Sequence, residues 1–325
     1  LNNQYITYDC IKGLIDIDEK TLKKFIVEYG DILFQRSSET FEDIGRANVY
    51  LDKERPATFG GFVIRGKKIS NYNPLFFRYL LCTHNARKQT VRMGAGAQHY
   101  NIGQDGLEKI SLFFPSLPEQ DKIAYFIDCL DERIATQNKI IEDLKILKKE
   151  FCNTLLSDIK DYKILGELCD ITTGKLDANA NNPDGAYPFF TCGKETLSID
   201  CYAFDGETIV IAGNGDIGHT KYYDGKFNAY QRTYVLMDFK ANAKFVKMGI
   251  DTYLPQKIAE ETQGGAMPYI KLSTLLSLKI PYVNFDEQCS IVKQYDSIAR
   301  KLENEICLLG LLQKQKTYLL NAMFI

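Results

Sequence analysis

Tryptophan is absent from this chain of 325 residues, and histidine occurs only three times, at His84, His99 and His219. The three lie far apart, and none forms the H-x-x-x-H spacing that brings two imidazoles to one metal. No G-x-x-x-x-G-K-S/T loop is present to cradle phosphates, no G-x-G-x-x-G opens a helix after a strand, and no G-x-S-x-G elbow presents a nucleophile. Asn182-Pro183-Asp184 lacks the second proline and the aromatic with which amino-methyltransferases hold a target base. With nothing singling out an acid–base pair, the chain reads as non-catalytic. No apolar run approaches the ~20 residues that cross a bilayer, so no membrane partner is expected, and no signal-peptide pattern opens the chain. The nine Cys never form C-x-x-C, which argues against zinc and predicts reduced, mostly buried thiols in a cytoplasmic protein. An excess of positive charge is also missing, since 40 Lys and Arg stand against 42 Asp and Glu. A free-standing, non-specific nucleic-acid binder would be clearly basic. A sequence reader with locally placed basic residues remains compatible with this balance.

What the chain does have is a duplication. The segment Gly94–Ile127, GAGAQHYNIGQDGLEKISLFFPSLPEQDKIAYFI, returns as Gly264–Tyr295, GGAMPYIKLSTLLSLKIPYVNFDEQCSIVKQY. The offset of about 170 residues lies far outside the periods of solenoids and propellers. Each copy ends in Glu-Gln and opens into a heptad-like stripe. The first runs through Ile123, Ile127, Leu130, Ile134, Gln137, Ile141, Leu144, Lys148, Phe151 and Leu155, and the second through Ile291, Tyr295, Ile298, Leu302, Glu305, Leu309, Leu312, Lys316, Leu319 and Met323. Matched stripes after matched modules predict two long helices that pair antiparallel as a coiled coil. The expected fold class is α/β (α+β): two similar domains separated by this pair, in a pseudo-twofold arrangement. The boundaries are 1–122 and 161–290 for the modules and 123–160 and 291–325 for the helices. A helix of about 30 residues spans ~45 Å, against ~34–36 Å for one turn of B-DNA.

Within the modules, Asp31–Phe34, Phe62–Ile64, Tyr187–Thr191, Glu207–Ala212, His219–Tyr223 and Thr233–Met237 are expected as strands. Tyr223-Asp224-Gly225-Lys226 carries a hairpin-turn signal. Pro74 to Arg92 predicts one helix with Pro74 in its first turn. The chain opens on Leu1, and fewer residues precede Gly94 than separate Gly264 from the preceding helix, which leads us to expect that the N-terminal part of the first module is missing.

Candidate binding residues sit in the loops that bound these strands. Gln35, Arg36, Ser37, Ser38 and Thr40 follow the first strand; Arg and Gln side chains can fork onto guanine and adenine, while Ser and Thr reach phosphates or base edges. The second module places Gly213-Asn214-Gly215-Asp216 in the equivalent position, where glycine lets a ligand approach the backbone. His219, Lys221 and the Tyr230-Gln231-Arg232 triplet follow it, and Thr191 and Lys194 form a small polar turn with a cation. In the duplicated loops, Gln98, His99 and Tyr100 answer Met267, Tyr269 and Lys271. Repeated loops with unlike side chains favour recognition of two different short sequences. The blander expectation for each, a solvated hairpin tip, leaves a non-DNA interaction scaffold as the alternative.

The chain resembles the specificity (S) subunits of Type I restriction-modification enzymes along nearly its whole length. The resemblance rests on Gly30-Asp31-Ile32-Leu33-Phe34 with Arg36-Ser37-Ser38-Glu39-Thr40, on Ile44-Gly45 and Gly60-Gly61-Phe62, and on Gly213-Asn214-Gly215 with Phe227-Asn228-Ala229-Tyr230-Gln231-Arg232. Its strongest marker is Pro115-Ser116-Leu117-Pro118-Glu119-Gln120 before the helix; the second copy departs from it at Asn284-Phe285-Asp286. The resemblance implies two target recognition domains reading the halves of a bipartite site in double-stranded DNA. It implies helices that act as a ruler and dock methyltransferase (M) subunits, with restriction (R) subunits completing the complex. Ile127, Leu130, Ile134, Ile141, Leu144, Ile298, Leu302, Leu309 and Leu312 are the candidate partner-binding residues. No cofactor is expected in this chain, since S-adenosylmethionine, ATP and Mg belong to the partner subunits. The departure at the chain's start keeps an inactive, truncated specificity subunit as the other alternative.

Overall fold

The computed structural model describes residues 5–96, 99–261 and 269–324. They form two compact units, residues 1–139 with 306–325 and residues 140–305, so that each long helix contributes to both. No described helix is long and apolar enough to cross a membrane.

In the first unit, helix α1 (Glu19–Phe25) precedes an antiparallel sheet of order β2-β1-β3, with β1 Ile32–Gln35, β2 Ala47–Val49 and β3 Val63–Gly66. Leu33 turns inward onto Val27 and Tyr50. The expected single helix over Pro74–Arg92 is in fact two, α2 (Pro74–Leu80) and α3 (His84–Arg92). Thr83 makes the break: its hydroxyl donates to the Leu80 carbonyl at 2.7 Å and accepts the Ala86 N–H at 3.4 Å, ending one helix and capping the next. The first long helix, α4, spans Leu117–Asp158. Its first half packs Ile123 and Ile127 with Phe76 and Tyr79 of α2 and with Phe324 near the chain's end. Lys316 reaches Asp131 from the facing helix, and the Tyr79 hydroxyl donates to the other Asp131 oxygen at 3.0 Å. Ile127 meets the last turn while Asp131 meets an earlier one, so the two helices run antiparallel here, as the stripes predict.

The second unit holds a six-stranded sheet of β4 (Asp170–Thr173), β5 (Tyr187–Phe190), β6 (Thr196–Ile199), β7 (Phe204–Ala212), β8 (Thr220–Ala229) and β9 (Thr233–Met237), in the order β4-β9-β7-β8-β5-β6. Strands β8-β7-β9 repeat the β2-β1-β3 arrangement, each with its central strand first in the chain. The hairpin turn expected at Tyr223–Lys226 is not a turn. These residues lie within β8, where Gly225 pairs with Gly206 of β7. Both glycines have positive φ, 132° and 123°, so the ladder passes through a conformation that only glycine adopts cheaply. The chain reverses instead between Ala212 and Thr220. A 19-residue helix, α5 (Ala243–Glu261), follows; Gly249 and an internal Pro255 obscure it in the sequence. The second long helix, α6 (Phe285–Met323), starts here, and Ile291 and Val292 pack with Leu156 from the end of α4 and with Phe245 and Met248 of α5. Lys148 lies over the Tyr295 ring at 4.8 Å, so this pairing is antiparallel as well.

Both long helices begin about six residues before the expected starts at 123 and 291, and they take in the Glu-Gln motif. Its glutamine is the reason for the motif. Gln120 is buried; its Oε1 accepts the Asn73 N–H at 3.0 Å and its Nε2 donates to the Pro115 carbonyl at 2.9 Å. Gln288 repeats this with the Asn242 N–H at 2.8 Å and the Val283 carbonyl at 2.7 Å. Each asparagine in turn caps the next helix, Asn73 accepting from Phe76 N–H at 2.9 Å and Asn242 from Phe245 N–H at 3.2 Å. The second copy, expected to be the weaker match, makes the same bonds, and Asn284 accepts the Glu287 N–H at 3.0 Å. All nine Cys are free thiols, but only Cys169 and Cys192 are buried, fewer than expected.

Replacing Gln288 with leucine removes both polar atoms while the buried N–H and carbonyl remain, at a cost of about 1–3 kcal/mol for each group left unpaired. Chemical denaturation should show Gln288→Leu destabilised by about 2 kcal/mol or more, with the exposed neighbour change Glu287→Ala within about 0.5 kcal/mol of the parent. Equal stability of the two variants would contradict this role for the glutamine.

Candidate nucleic-acid interface

The loops expected to bind are held by the same four backbone hydrogen bonds in each unit. In the first, Gln35 N–H donates to Arg46 O, Gly45 N–H to Gln35 O, Arg36 N–H to Phe62 O and Ile102 N–H to Arg36 O, at 2.7 to 3.0 Å. In the second, Ala212 N–H donates to His219 O, Gly218 N–H to Ala212 O, Gly213 N–H to Arg232 O and Ile270 N–H to Gly213 O, at 2.9 to 3.0 Å. Gly45 and Gly218 occupy equivalent left-handed positions, with φ of 63° and 76°. A Cβ there would lie 2.3 Å from the Thr90 methyl and 2.8 Å from Ile258 Cδ1, so both turns press against a helix behind them. The frame aligns Arg36 with Gly213, Phe62 with Arg232 and Ile102 with Ile270. It therefore shifts the expected match between the duplicated loops, because the backbone N–H of Ile102 or Ile270, not an aromatic, is the anchor. Gln98 and Met267 lie outside the described residues.

On this common frame the exposed side chains differ. In the second unit Asn214, Gln231, Arg232 and Tyr269 line one cleft of about 380 Å³, with Thr173, Gly213, Tyr234 and Ile270. Gln231 and Arg232 are exposed, and Tyr269 is 63% exposed. The Tyr234 hydroxyl donates to Ile270 O at 2.8 Å and fixes the wall that carries Tyr269. Burial raises the Tyr234 pKa, keeping that hydroxyl protonated as a donor. In the first unit Gln35, Ser37, Ser38, Thr40 and His99 line a cleft of about 450 Å³ together with Glu39, Asp43 and Phe62. Ser37 Oγ donates to Asn101 Oδ1 at 2.5 Å, Gln35 Nε2 to the Ser37 carbonyl at 3.0 Å, and Ser38 Oγ accepts the Thr40 N–H at 3.2 Å.

Several expected residues fall elsewhere. Arg36 lines a separate cleft with Lys24 and Arg65. Tyr100 packs edge-on against Phe41, with ring centroids 5.1 Å apart. Tyr230 is half-buried, its N–H donating to Phe190 O at 2.9 Å, and Lys271 is exposed at the start of the short helix Leu272–Leu276. Lys221 Nζ donates to Thr196 Oγ1 at 3.0 Å and lies over the Phe190 ring. The Thr191 hydroxyl accepts the Gly193 N–H at 3.4 Å, and Lys194 is exposed beyond it. Burial first, and then the nearby positive charges of Lys221, Lys247 and Lys194, against the opposing pull of Asp216, hold the His219 pKa below its ordinary value. At neutral pH that imidazole is uncharged and exchanges hydrogen bonds without acting as a phosphate-binding cation.

Of the expected partner-binding residues, Ile127, Leu130, Ile141 and Leu312 are buried, and Ile134, Leu144, Ile298, Leu302 and Leu309 are half-buried. Their surface is largely taken up within the chain, as a coiled-coil seam requires. The apolar side chains that the long helices leave exposed include instead Tyr125, Phe126, Ile146, Leu147, Leu311 and Tyr318. Phe62 (77% exposed), Glu39 and Asp43 are cleft residues that were not among the candidate binding residues; the Gly60-Gly61 turn beside Phe62 was the available signal. Among the described residues no group of His, Cys, Asp and Glu is placed to hold a metal ion. What the clefts offer is chemistry for recognition: amide pairs, a guanidinium, hydroxyls and ring faces on rigid loops.

The profile of the family described as the Type I restriction modification DNA specificity domain matches residues 2–145 and 158–307. The Type I restriction enzyme EcoDI specificity subunit of Escherichia coli is 39% identical over 140 residues, which is 43% of this chain and 31% of that protein. The chain thus matches about a third of that relative's length. The MjaVIII specificity subunit of Methanocaldococcus jannaschii is 25% identical over 329 residues, covering 87% of this chain and 75% of the relative. The crystal structure of the S subunit of a Type I restriction-modification system from M. genitalium shares the fold, with a TM-score of 0.63 at 20% identity over 93% of this chain and 85% of that one. The chain belongs to the Type I restriction-modification DNA specificity family, and the matched residues form two copies of its domain.

Proposed function

We propose that this chain is the sequence-specific DNA-reading specificity subunit of a Type I restriction-modification enzyme, binding the two halves of a bipartite site in double-stranded DNA. The carrying observation is the four-bond loop frame, which recurs in both units while the side chains it presents do not. A shared frame with unlike readers is what two different half-sites need. The subunit is non-catalytic in this reading. Methyltransferase subunits, docked on the exposed faces of the long helices, and restriction subunits carry S-adenosylmethionine, ATP and Mg and perform the methyl transfer and cleavage. The near-neutral charge fits a chain whose partners supply part of the phosphate contact. The assembly works in the cytoplasm, where its DNA is. Among the candidate residues, Asn214, Gln231, Arg232 and Tyr269 act as readers in the second domain, and Gln35, Ser37, Ser38, Thr40 and His99 in the first.

A side chain that reads a base contributes ~1–3 kcal/mol of discrimination. With the chain assembled with its methyltransferase subunits, Gln231→Ala and Arg232→Ala should each reduce discrimination between the cognate duplex and one changed in a single half-site by about 5- to 150-fold. Discrimination at the other half-site should stay as it was. Unchanged discrimination at both would favour a scaffold that does not read DNA through this cleft.

A further inference from the structure

Arg36 is an expected reader that the structure removes from the reading cleft. It lines a larger one, of about 610 Å³, between α1 and β3. The polar groups around this cleft are Lys24, Arg36, Arg65, Thr21, Thr58 and Gln104, and no carboxylate lines it. Among the described residues, none of the three cations forms an ion pair. Arg65 sits within β3, opposite Leu33 of the central strand, with its guanidinium 5.8 Å from the centre of the Phe59 ring. Its Nη2 makes a long bond to the Lys24 carbonyl at 3.4 Å. Its Nη1 is buried without any hydrogen-bond partner among the described residues. A buried guanidinium nitrogen with no acceptor is costly, and two further cations, Lys24 and Arg36, line the same cleft. An anion with several acceptor oxygens supplies what the site lacks, since the guanidinium fork matches phosphate geometry.

We infer that this cleft is a phosphate-binding site in which Arg65, Arg36 and Lys24 hold one phosphate group, and that the phosphate is a backbone phosphate of the bound duplex. The inference rests on the DNA-reading function proposed above and gives Arg36 a different task from base reading. Arg65, Arg36 and Lys24 supply the positive charge and the N–H donors, since the Thr21 and Thr58 hydroxyls already donate to Asp18 Oδ2 at 2.6 Å and to the Phe25 carbonyl at 3.1 Å, and none of these contacts depends on sequence. The wall of Phe59 beneath Arg65 holds the guanidinium in place and excludes water from one side.

The test uses the full chain assembled with its methyltransferase subunits, comparing Arg65→Gln and Lys24→Gln with the parent. Arg65 packs on a ring and its loss could disturb the fold, whereas the Lys24 side chain is exposed and its variant keeps the test open; thermal melting of each variant serves as the folding control. Binding to cognate and scrambled duplexes is measured across a salt series, alongside Gln231→Ala. The expected result is an equal several-fold loss on both duplexes, with the slope of log K against log salt shallower by about 1 and the recognised sequence unchanged. Unchanged affinity and slope in a folded variant, or a change in which sequence is preferred, would overturn the inference. If Gln231→Ala still relaxes one half-site in that case, the DNA-reading function stands and only this site fails. Melting shifts with inorganic phosphate form a second arm. Stabilisation by phosphate that is lost in Arg65→Gln while DNA binding is unaffected would mean that a free phosphate fills the site, and would overturn its assignment to the duplex.

Discussion

A single buried amide side chain sets the geometry on which the rest of each unit depends. Gln120 and Gln288 both stand in the first turns of the long helices, and each joins a backbone N–H at the start of a second helix to a carbonyl just before its own. The N–H belongs to an asparagine whose side chain caps that second helix. Three segments are thereby fixed by one residue: the approach to the long helix, the long helix itself and the start of the helix that the asparagine caps, α2 in the first unit and α5 in the second. An apolar residue could fill the space but would strand two buried polar groups. Glutamine in this place is therefore a positional requirement, which explains why Glu-Gln survives in both copies when the residues before it do not.

From that anchored helix the support runs to the loops. Gly45 presses on Thr90 of α3, which follows the Asn73-capped α2 across the break at Thr83, and Gly218 presses on Ile258 of α5, the helix that Asn242 caps. The left-handed turns at these glycines place the loop backbones, and the four shared hydrogen bonds finish the frame. Side chains beyond the frame carry no structural duty that would hold them alike. Phe62 stands where the other domain has Arg232, and Arg36 where it has Gly213. A domain built this way can change what it reads without changing how it is held, which suits the proposed recognition of two different half-sites.

Much of this was legible in the chain text. The duplication, the antiparallel stripes, the strand Thr233–Met237 and the candidacy of Asn214, Gln231, Arg232 and Tyr269, each in its own loop, follow from spacing and residue type, whereas their meeting in one cleft does not. Other features were not, for identifiable reasons. Tyr223–Lys226 has the letters of a turn, yet Gly225 serves a glycine–glycine crossing inside a ladder, a cross-strand relation that local text does not show. The break at Thr83 depends on a hydroxyl bonding in two directions, and Thr can also sit quietly in a helix. Arg36 sits next to Gln35, just past the end of β1, yet the two line different clefts, and only the packing around the strand's end shows which cleft each meets. The antiparallel pairing of the two stripes was legible, while the burial of Ile127, Leu130, Ile141 and Leu312, expected to meet a partner, shows that the helices spend them within the chain.

The central claim is that one frame carries two independent readers, and it is tested most directly by sequencing methylated positions in DNA modified by the assembled enzyme. The account predicts a bipartite methylated motif with unlike halves. Exchanging the second domain for that of another family member should change one half, while the other half and the spacing between them persist. A motif that changes in both halves, or in neither, would contradict it.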